Sequence, residues 1–157
     1  MLEGANGASG ALSCFPVIPQ ATERRCPCGE LGHLEAYVSG PAISASYAEI
    51  AQPGTSLRLE EVATRAQLGD RVALDAIIHA ARILGRALAQ VSDFLDLEAI
   101  IVGGGVTSVG PVLLGPLEET IAAAVKPRLR LVEFRVAKLG VAAVCIGAAQ
   151  AAMVTQS

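Results

Sequence analysis

The residues best suited to carry chemistry are clustered near the start of the chain. Three of the four cysteines and one of the two histidines fall within about residues 14–35, here called the zinc loop: Cys14, Cys26, Cys28 and His33. Thiolates and imidazoles at short loop spacings are typical ligands of tetrahedral zinc, and a site closed by four protein ligands is structural. We therefore predict a structural Zn²⁺ site of Cys3His type. The alternative is a set of scattered thiols beside a solvent-facing histidine.

The spacing within the zinc loop favours one shared ion. Cys26 and Cys28 form a C-x-C pair, which places two sulfurs on one tight turn. Gly29 and Gly32 have access to backbone conformations that other residues avoid, so the chain can curl and bring His33 back to the same ion.

The composition predicts a folded, cytoplasmic domain. The chain has 157 residues, of which 52% are hydrophobic and 3% aromatic, enough for one α/β domain with a core. Its net charge of −3 and its lack of a dense Lys/Arg cluster argue against binding of nucleic acid by this chain. The residues after Met1 do not form a signal peptide, which favours reduced thiols over two disulfides.

An apolar segment near the end of the chain raises the question of a membrane span. Residues 136–155 contain Lys138, Gly147 and Gln150 and are rich in alanine, not leucine. We therefore predict a buried strand, turn and helix there, with no membrane contact. Cys145 lies in this segment and is predicted to be a buried small hydrophobic residue.

Hydrophobic periodicity and turn residues predict the order of the elements. Helices are predicted at residues 34–38, 42–51, 59–67, 71–92, 112–125 and 142–153. Strands are predicted at residues 15–18, 99–102 and 129–136. Asp70 is predicted to cap the longest helix, whose apolar residues recur at helical spacing.

A triple glycine follows the most apolar predicted strand. Gly103, Gly104 and Gly105 stand between this strand and a predicted helix. Glycine lets backbone N–H groups approach an anion, and a helix N-terminus adds positive potential, so the arrangement suits a phosphate group. The spacing matches neither a P-loop nor the G-x-G-x-x-G fingerprint. A plain strand-to-helix turn is the alternative.

Three segments together resemble the ROK family of sugar kinases and sugar-responsive transcriptional repressors. They are Gly4-Ala-Asn-Gly-Ala-Ser-Gly10, Cys26-Pro-Cys-Gly-Glu-Leu-Gly-His-Leu-Glu35 and Ile100-Ile-Val-Gly-Gly-Gly-Val106. The resemblance extends over nearly the whole chain. It implies an α/β, actin-like ATPase (RNase H-like) fold of two lobes. The chain is then a single partial domain over residues 1–157 that corresponds to the C-terminal lobe.

The resemblance also implies ligands and their residues. ATP and Mg²⁺ lie between the two lobes, with a hexose or amino sugar beside them. Glu35 matches a glutamate that contacts the sugar, although a solvated carboxylate at a helix start is the alternative. The triple glycine, residues 103–105, matches the turn that contacts the nucleotide. Family members are commonly dimers, so a homodimer is expected.

The chain departs from the family pattern around the sugar and the metal. Ala11 stands where the family has a sugar-contacting glutamate, and Cys14 stands where it has a zinc-binding histidine. His33 stands where the family has a cysteine. The two metal-ligand exchanges compensate each other, so the set remains Cys3His. We infer that the zinc site is still used while the sugar site is altered.

The resulting hypothesis is a ROK sugar kinase-like protein, present here as its C-terminal part. The family's catalytic Asp and N-terminal phosphate loops have no match in the sequence, so the chain is expected to be inactive alone, with an N-terminal lobe in a separate or missing segment. The alternative is the sugar-sensing region of a ROK transcriptional repressor. A truncated product without activity is a third reading.

Overall fold

The computed structural model describes residues 4–6, 10–16, 24–51, 53–54, 56–125 and 132–154. The helices are α1 (Glu35–Val38), α2 (Gly40–Ala51), α3 (Leu59–Gln67), α4 (Arg71–Leu95), α5 (Pro111–Ala124) and α6 (Ala143–Val154). The strands are β1 (Ala99–Val102) and β2 (Glu133–Val136). Short 3₁₀ helices occur at Leu12–Cys14, Gly105–Val109 and Gly140–Ala142.

Helix α4 is the centre of the fold, because α2, α3 and α5 all pack against it. Its apolar residues recur every three or four positions, so one face can be buried along its whole length. Asp70 caps it as predicted, accepting hydrogen bonds from the backbone N–H groups of Val72 and Ala73. The core contains, among others, Ile43, Tyr47, Val62, Ile77, Leu113, Leu117 and Ile121.

The two strands pair in parallel, with Ile100 beside Phe134 in the register. Helix α5 connects them, which is the crossover that a parallel pair requires. The predicted strand at 99–102 is confirmed. The strand predicted at 129–136 is found from Glu133 onward, and residues 126–131 lie outside the described part. Of the strand predicted at 15–18, Pro16 forms an isolated bridge with His33, and residues 17–23 also lie outside that part.

One hydrogen-bonded chain of side chains connects three helices. Arg65 of α3 donates to the Tyr47 hydroxyl of α2 at 2.8 Å, and that hydroxyl donates to the Asp70 carboxylate at 2.8 Å. The hydrogen bond from Tyr47, followed by the backbone N–H of Ala73, lowers the pKa of the Asp70 carboxyl. Asp70 is therefore a charged anchor at the point where α2, α3 and α4 meet.

Helix α6 differs from its prediction. It was expected to pack closely on the sheet, with Cys145 buried, but Cys145 and most other side chains of α6 are exposed. Apolar composition predicts that a helix is buried, but it does not identify the surface that covers the helix. The predicted packing of α6 on the sheet is wrong for this reason. Within the described residues, no helix is long and apolar enough to cross a membrane.

Gly85 marks the closest approach of α4 and α5. A Cβ atom built on Gly85 would lie 2.7 Å from the Cβ of Thr120 and 3.2 Å from the carbonyl oxygen of Leu117. We expect Gly85→Ala to lower the free energy of unfolding by about 2 kcal/mol, because the cost of overpacking exceeds the gain in helix propensity. Denaturation in urea measures this change.

Gly115 provides the matched control for Gly85. It also lies inside a helix, α5, but a Cβ atom there would meet nothing within 4 Å. Gly115→Ala is expected to raise the free energy of unfolding by roughly 0.5–1 kcal/mol through helix propensity alone. Equal effects of the two substitutions would contradict the assignment of close helix packing to Gly85.

Candidate metal and nucleotide sites

The structure brings the four predicted metal ligands together. The sulfur atoms of Cys14, Cys26 and Cys28 and a ring nitrogen of His33 all lie within 4.8 Å of one another. Sulfur atoms on one tetrahedral zinc ion lie roughly 3.8 Å apart, given Zn–S bonds of about 2.3 Å. Small side-chain rotations would close this set on one ion, so the residues fit a zinc site in number, type and position.

The backbone of the zinc loop explains how these side chains meet. Cys26 donates its N–H to the Glu30 carbonyl at 2.8 Å, and Gly29 donates to the Cys26 carbonyl at 2.9 Å, which closes the turn that carries the C-x-C pair. Gly29 and Gly32 have φ of +99° and +76°, which glycine adopts without strain. The curl that the two glycines were predicted to permit is therefore present.

The first part of the chain is held against this turn. Pro16 bridges His33, and Leu34 donates its backbone N–H to the Phe15 carbonyl at 2.9 Å. The 3₁₀ helix Leu12–Cys14 ends on Cys14, the predicted fourth ligand. The site thus joins two neighbouring segments of the zinc loop, residues 12–16 and 26–34.

The two thiols of the C-x-C pair differ in how readily they ionise. The backbone N–H of Glu30, together with the Cys26 thiol, lowers the pKa of the Cys28 thiol to about 7. Although the backbone N–H of Cys28 acts in the opposite direction, burial and the Cys28 side chain raise the pKa of Cys26. The Sγ of Cys28 lies 3.1 Å from Nδ1 of His33. A divalent cation bound to both sulfurs would stabilise the thiolate form of each cysteine.

Glu35 begins α1, two residues after His33, a predicted zinc ligand. It is half-buried, and its carboxylate has no hydrogen-bond or ion-pair partner among the described residues. A carboxylate held in this way next to the zinc loop is available to accept hydrogen bonds from a hydroxylated ligand. The position is compatible with the predicted sugar contact.

The triple glycine forms a tight turn, but its connection differs from the prediction. Gly104 has φ of +93°, and a Cβ atom on Gly103 would lie 3.0 Å from the Cβ of Ala137. The expected helix does not follow directly. The 3₁₀ helix Gly105–Val109 and then Gly110 intervene before α5. The positive end of α5 is therefore displaced from the turn, because Gly110 with φ of +76° breaks the helical path.

A cavity of about 670 Å³ lies beside this turn. The beginnings of α2 and α3 and the first residues after Gly104 form its walls. It is lined by Gly40, Pro41, Ser44, Ala45, Ser56, Leu57, Arg58, Leu59, Glu60, Gly105 and Val106. Of the three predicted glycines, only Gly105 lines it.

Ser44 is the residue of this cavity that sequence reasoning missed. Its side chain is buried, with 6% of its surface exposed, yet its hydroxyl has no hydrogen-bond partner among the described residues. A buried hydroxyl without a partner costs free energy unless a ligand or water satisfies it. The only signal in the sequence is a serine within the apolar part of α2, which many surface helices also show.

Curated relatives and solved structures are similar over most of the chain. It is 34% identical to the glucokinase of Halalkalibacterium halodurans over 94% of this chain and 48% of that protein. It is 27% identical to the DNA-binding transcriptional dual regulator NagC of Escherichia coli over 75% of this chain and 30% of the regulator. It also aligns with a ROK family glucokinase from Streptomyces griseus in complex with glucose and AMPPNP. For that structure the TM-score is 0.79 and the identity 28%, over 92% of this chain and 51% of that one.

These similarities define the fold and the family. The chain spans about half the length of the glucokinases it matches. Its helices and parallel strands are an α/β part of the actin-like ATPase fold to which these structural neighbours point. The sequence profile of the ROK family matches residues 1–155. The chain therefore belongs to the ROK family.

Proposed function

We propose that this chain is the C-terminal lobe of a ROK sugar kinase, which binds the nucleotide and one side of a hexose but needs a second lobe for phosphoryl transfer. The observation that carries the proposal is the cavity beside Gly104 and Gly105, whose lining is largely apolar and includes Ser44. The similarity to glucokinases, one of them in complex with glucose and AMPPNP, supports the same reading.

The cavity suits the base and ribose of a nucleotide. Pockets that bind such ligands usually have volumes of about 300–1,000 Å³, with apolar walls and few polar groups. Leu57, Leu59 and Val106 supply apolar surface. Ser56 and Arg58 are polar residues of the lining. The bare backbone at Gly104 lets a phosphate approach closely. ATP would supply the phosphoryl group and Mg²⁺ would balance its charge.

The zinc loop and Glu35 would form one wall of the sugar site. In this proposal, Cys14, Cys26, Cys28 and His33 hold Zn²⁺, which fixes the loop and therefore the start of α1. Glu35 then accepts hydrogen bonds from hydroxyl groups of a hexose or amino sugar. Ala11 leaves the opposite side with fewer polar contacts than the family pattern provides, so weak sugar binding is expected.

The chain alone is not expected to transfer the phosphoryl group. No described residue near the cavity or Glu35 matches the base that the resemblance places in the N-terminal lobe. We therefore expect purified chain to show no ATP-dependent phosphorylation of glucose. We further propose a cytoplasmic location, since zinc needs reduced thiols, and a homodimeric full-length protein.

The regulator NagC gives the second candidate function. The replacement of the family's glutamate and histidine by Ala11 and Cys14 removes contacts that a kinase would use on its substrate. The chain would then be the sugar-sensing region of a repressor. The similarity to glucokinases is higher and covers more of the chain, which favours the kinase-like reading.

Nucleotide binding by the turn is tested with Gly104→Ala. Because Gly104 has φ of +93°, alanine strains the turn, and we expect the dissociation constant for AMPPNP to rise by at least about tenfold in isothermal titration calorimetry. Gly69→Ala is the control, since Gly69 has φ of +95° and equally open surroundings but lies at the end of α3. Absence of AMPPNP binding by the unaltered chain, or equal losses in both variants, would contradict the proposal.

A further inference from the structure

A second cavity, of about 810 Å³, is lined by residues of α1, α2 and α4 and by Arg24. We call it the α4 cavity. The charged and imidazole side chains of its lining are Arg24, Glu49, Asp75, His79 and Arg82. Its volume is within the range of about 300–1,000 Å³ that is typical of sites for small molecules. It has no lining residue in common with the cavity beside the glycine turn, so the proposed function does not use it.

Arg24 is a fixed cation in the wall of the α4 cavity. Its guanidinium donates hydrogen bonds to the Ser46 hydroxyl and to the Glu49 carboxylate, each at 2.7 Å. It also lies over the Tyr37 ring, 5.6 Å from the ring centroid, and only 25% of the Arg24 side chain is exposed. The charge of Glu49 is therefore compensated within the wall itself.

Helix α4 gives the cavity an acceptor end and a donor end. Asp75, His79 and Arg82 follow one another at intervals of four and three residues, which places them along one face of the helix. Asp75 and Arg82 are separated by roughly 10 Å along the helix axis. Within the described part of the chain, neither has a hydrogen-bond or ion-pair partner. A carboxylate acceptor and a guanidinium donor are thus available at the two ends of one cavity.

The electrostatic potential at the donor end is positive. Burial, followed by the charges of Arg24, Arg86 and Arg82, lowers the pKa of the His79 imidazole. The three guanidinium groups prevail there over Asp75, which lies one turn earlier on α4. Cationic groups that disfavour a proton on His79 favour a negative charge beside it.

We propose that the α4 cavity is a second ligand site, for a small molecule in which a phosphate monoester is attached to a hydroxylated body. Arg82 and His79 donate to the phosphate, which carries roughly −1.5 to −2 charge at pH 7 and three acceptor oxygens. A carboxylate, with one charge and two oxygens, uses fewer of these donors. Asp75 accepts hydrogen bonds from hydroxyl groups at the other end of the ligand. The site is independent of the proposed function, because neither Glu35 nor the glycine turn lines it.

Isothermal titration calorimetry of the full chain with glucose 6-phosphate tests this site. We expect one molecule to bind per chain. For Arg82→Gln, the dissociation constant should rise at least about tenfold, because a charge-assisted hydrogen bond is lost. Arg82 is exposed, so its substitution leaves the core intact. Lys138→Gln is the control: it also removes one positive charge from an exposed position, but outside the α4 cavity, and should leave the dissociation constant unchanged.

Proton NMR of the histidine rings gives an independent readout. The chain has two histidines, and the signal of His79 is identified by its loss in His79→Gln. A phosphate beside the imidazole favours its protonated form, so glucose 6-phosphate should raise the pKa of His79. Glu35→Gln should leave this rise unchanged, because Glu35 does not line the α4 cavity.

Four outcomes would overturn the proposal. They are no binding of glucose 6-phosphate by the folded chain, equal losses of affinity in the Arg82 and Lys138 variants, binding that disappears in Glu35→Gln, and equal affinity for inorganic phosphate or for glucose. The last would show that phosphate and hydroxyl groups are not recognised together. Because none of these measurements uses AMPPNP, loss of AMPPNP binding would count against the proposed function alone.

Discussion

Substitution of Cys28 by serine is expected to reduce bound zinc from about one ion per chain to nearly none. The Cys28 thiol ionises more readily than that of Cys26, because the backbone N–H of Glu30 lowers its pKa to about 7, whereas the pKa of Cys26 is raised. Structural zinc sites in small peptides contribute roughly 10–16 kcal/mol of apparent binding free energy, and chelation unfolds the segments that they hold. Metal content by mass spectrometry and thermal unfolding with and without a chelator measure the effect.

Cys145→Ser is the matched control for the metal site. Cys145 is also a free thiol, but it lies on α6, outside the cluster. Its substitution should leave zinc content and the chelator-induced decrease in Tm unchanged. A metal-free chain that unfolds at the same temperature in chelator as without it would refute the structural role of the metal.

The same site should show a definite pH dependence. A thiol must lose its proton to bind the metal, so protons compete with zinc below the pKa of each ligand. With the pKa of Cys28 at about 7 and that of Cys26 raised, zinc affinity should increase as the pH rises from 6 to 8. Affinity that is constant across this range would exclude Cys26 and Cys28 as ligands.

Consider a fusion protein in which the half of H. halodurans glucokinase that this chain does not match precedes Met1 of this chain. Its glucose kinase activity should depend strongly on Glu35. We expect Glu35→Gln to lower kcat/KM for glucose by about 100-fold, since a charge-assisted hydrogen bond to the sugar contributes roughly 1.5–3 kcal/mol. The KM for ATP should not change, because Glu35 does not line the cavity beside the glycine turn. Steady-state kinetics with both substrates measure the two effects.

Glu119→Gln provides the control for this experiment. Glu119 is an exposed carboxylate on α5, away from the zinc loop and the cavity, so its loss should leave both kinetic constants as they are. Equal kcat/KM for the Glu35 and Glu119 variants would remove Glu35 from the sugar site. Phosphorylation of glucose by the isolated chain would instead overturn the requirement for a second lobe.

Local signals in the sequence were enough to predict the bounds of several helices. The bounds of α3 were predicted correctly, and α4 begins where predicted because Asp70 supplies a cap that depends only on neighbouring residues. Helix α4 continues to Leu95 beyond the predicted end at 92, since Asp96 adopts the left-handed conformation that ends it. The grouping of the four candidate ligands was also predictable, because residue type and loop spacing bring such side chains together locally, whereas their binding of zinc stays a prediction.

Features that depend on packing between distant segments were not predictable in this way. The cavity exists because the starts of α2 and α3 lie beside the glycine turn, so the place of Ser44 in its lining was hidden in an ordinary helical sequence. The exposure of α6 was hidden for a related reason. Its composition shows that it belongs in a core, but the surface that covers it is not encoded in the helix itself. The sugar identity and the expected homodimer remain predictions.

The hydrogen bonds that run from Arg65 through Tyr47 to Asp70 affect the energetics of ligand binding. This network links α2 and α3, whose first residues line the cavity, to the capped end of α4. The walls are thereby preorganised, and the conformational entropy of fixing them is lost when the chain folds instead of when a nucleotide arrives. A ligand should therefore meet a rigid receptor on this side, and any closing motion must come from whatever body approaches from the other.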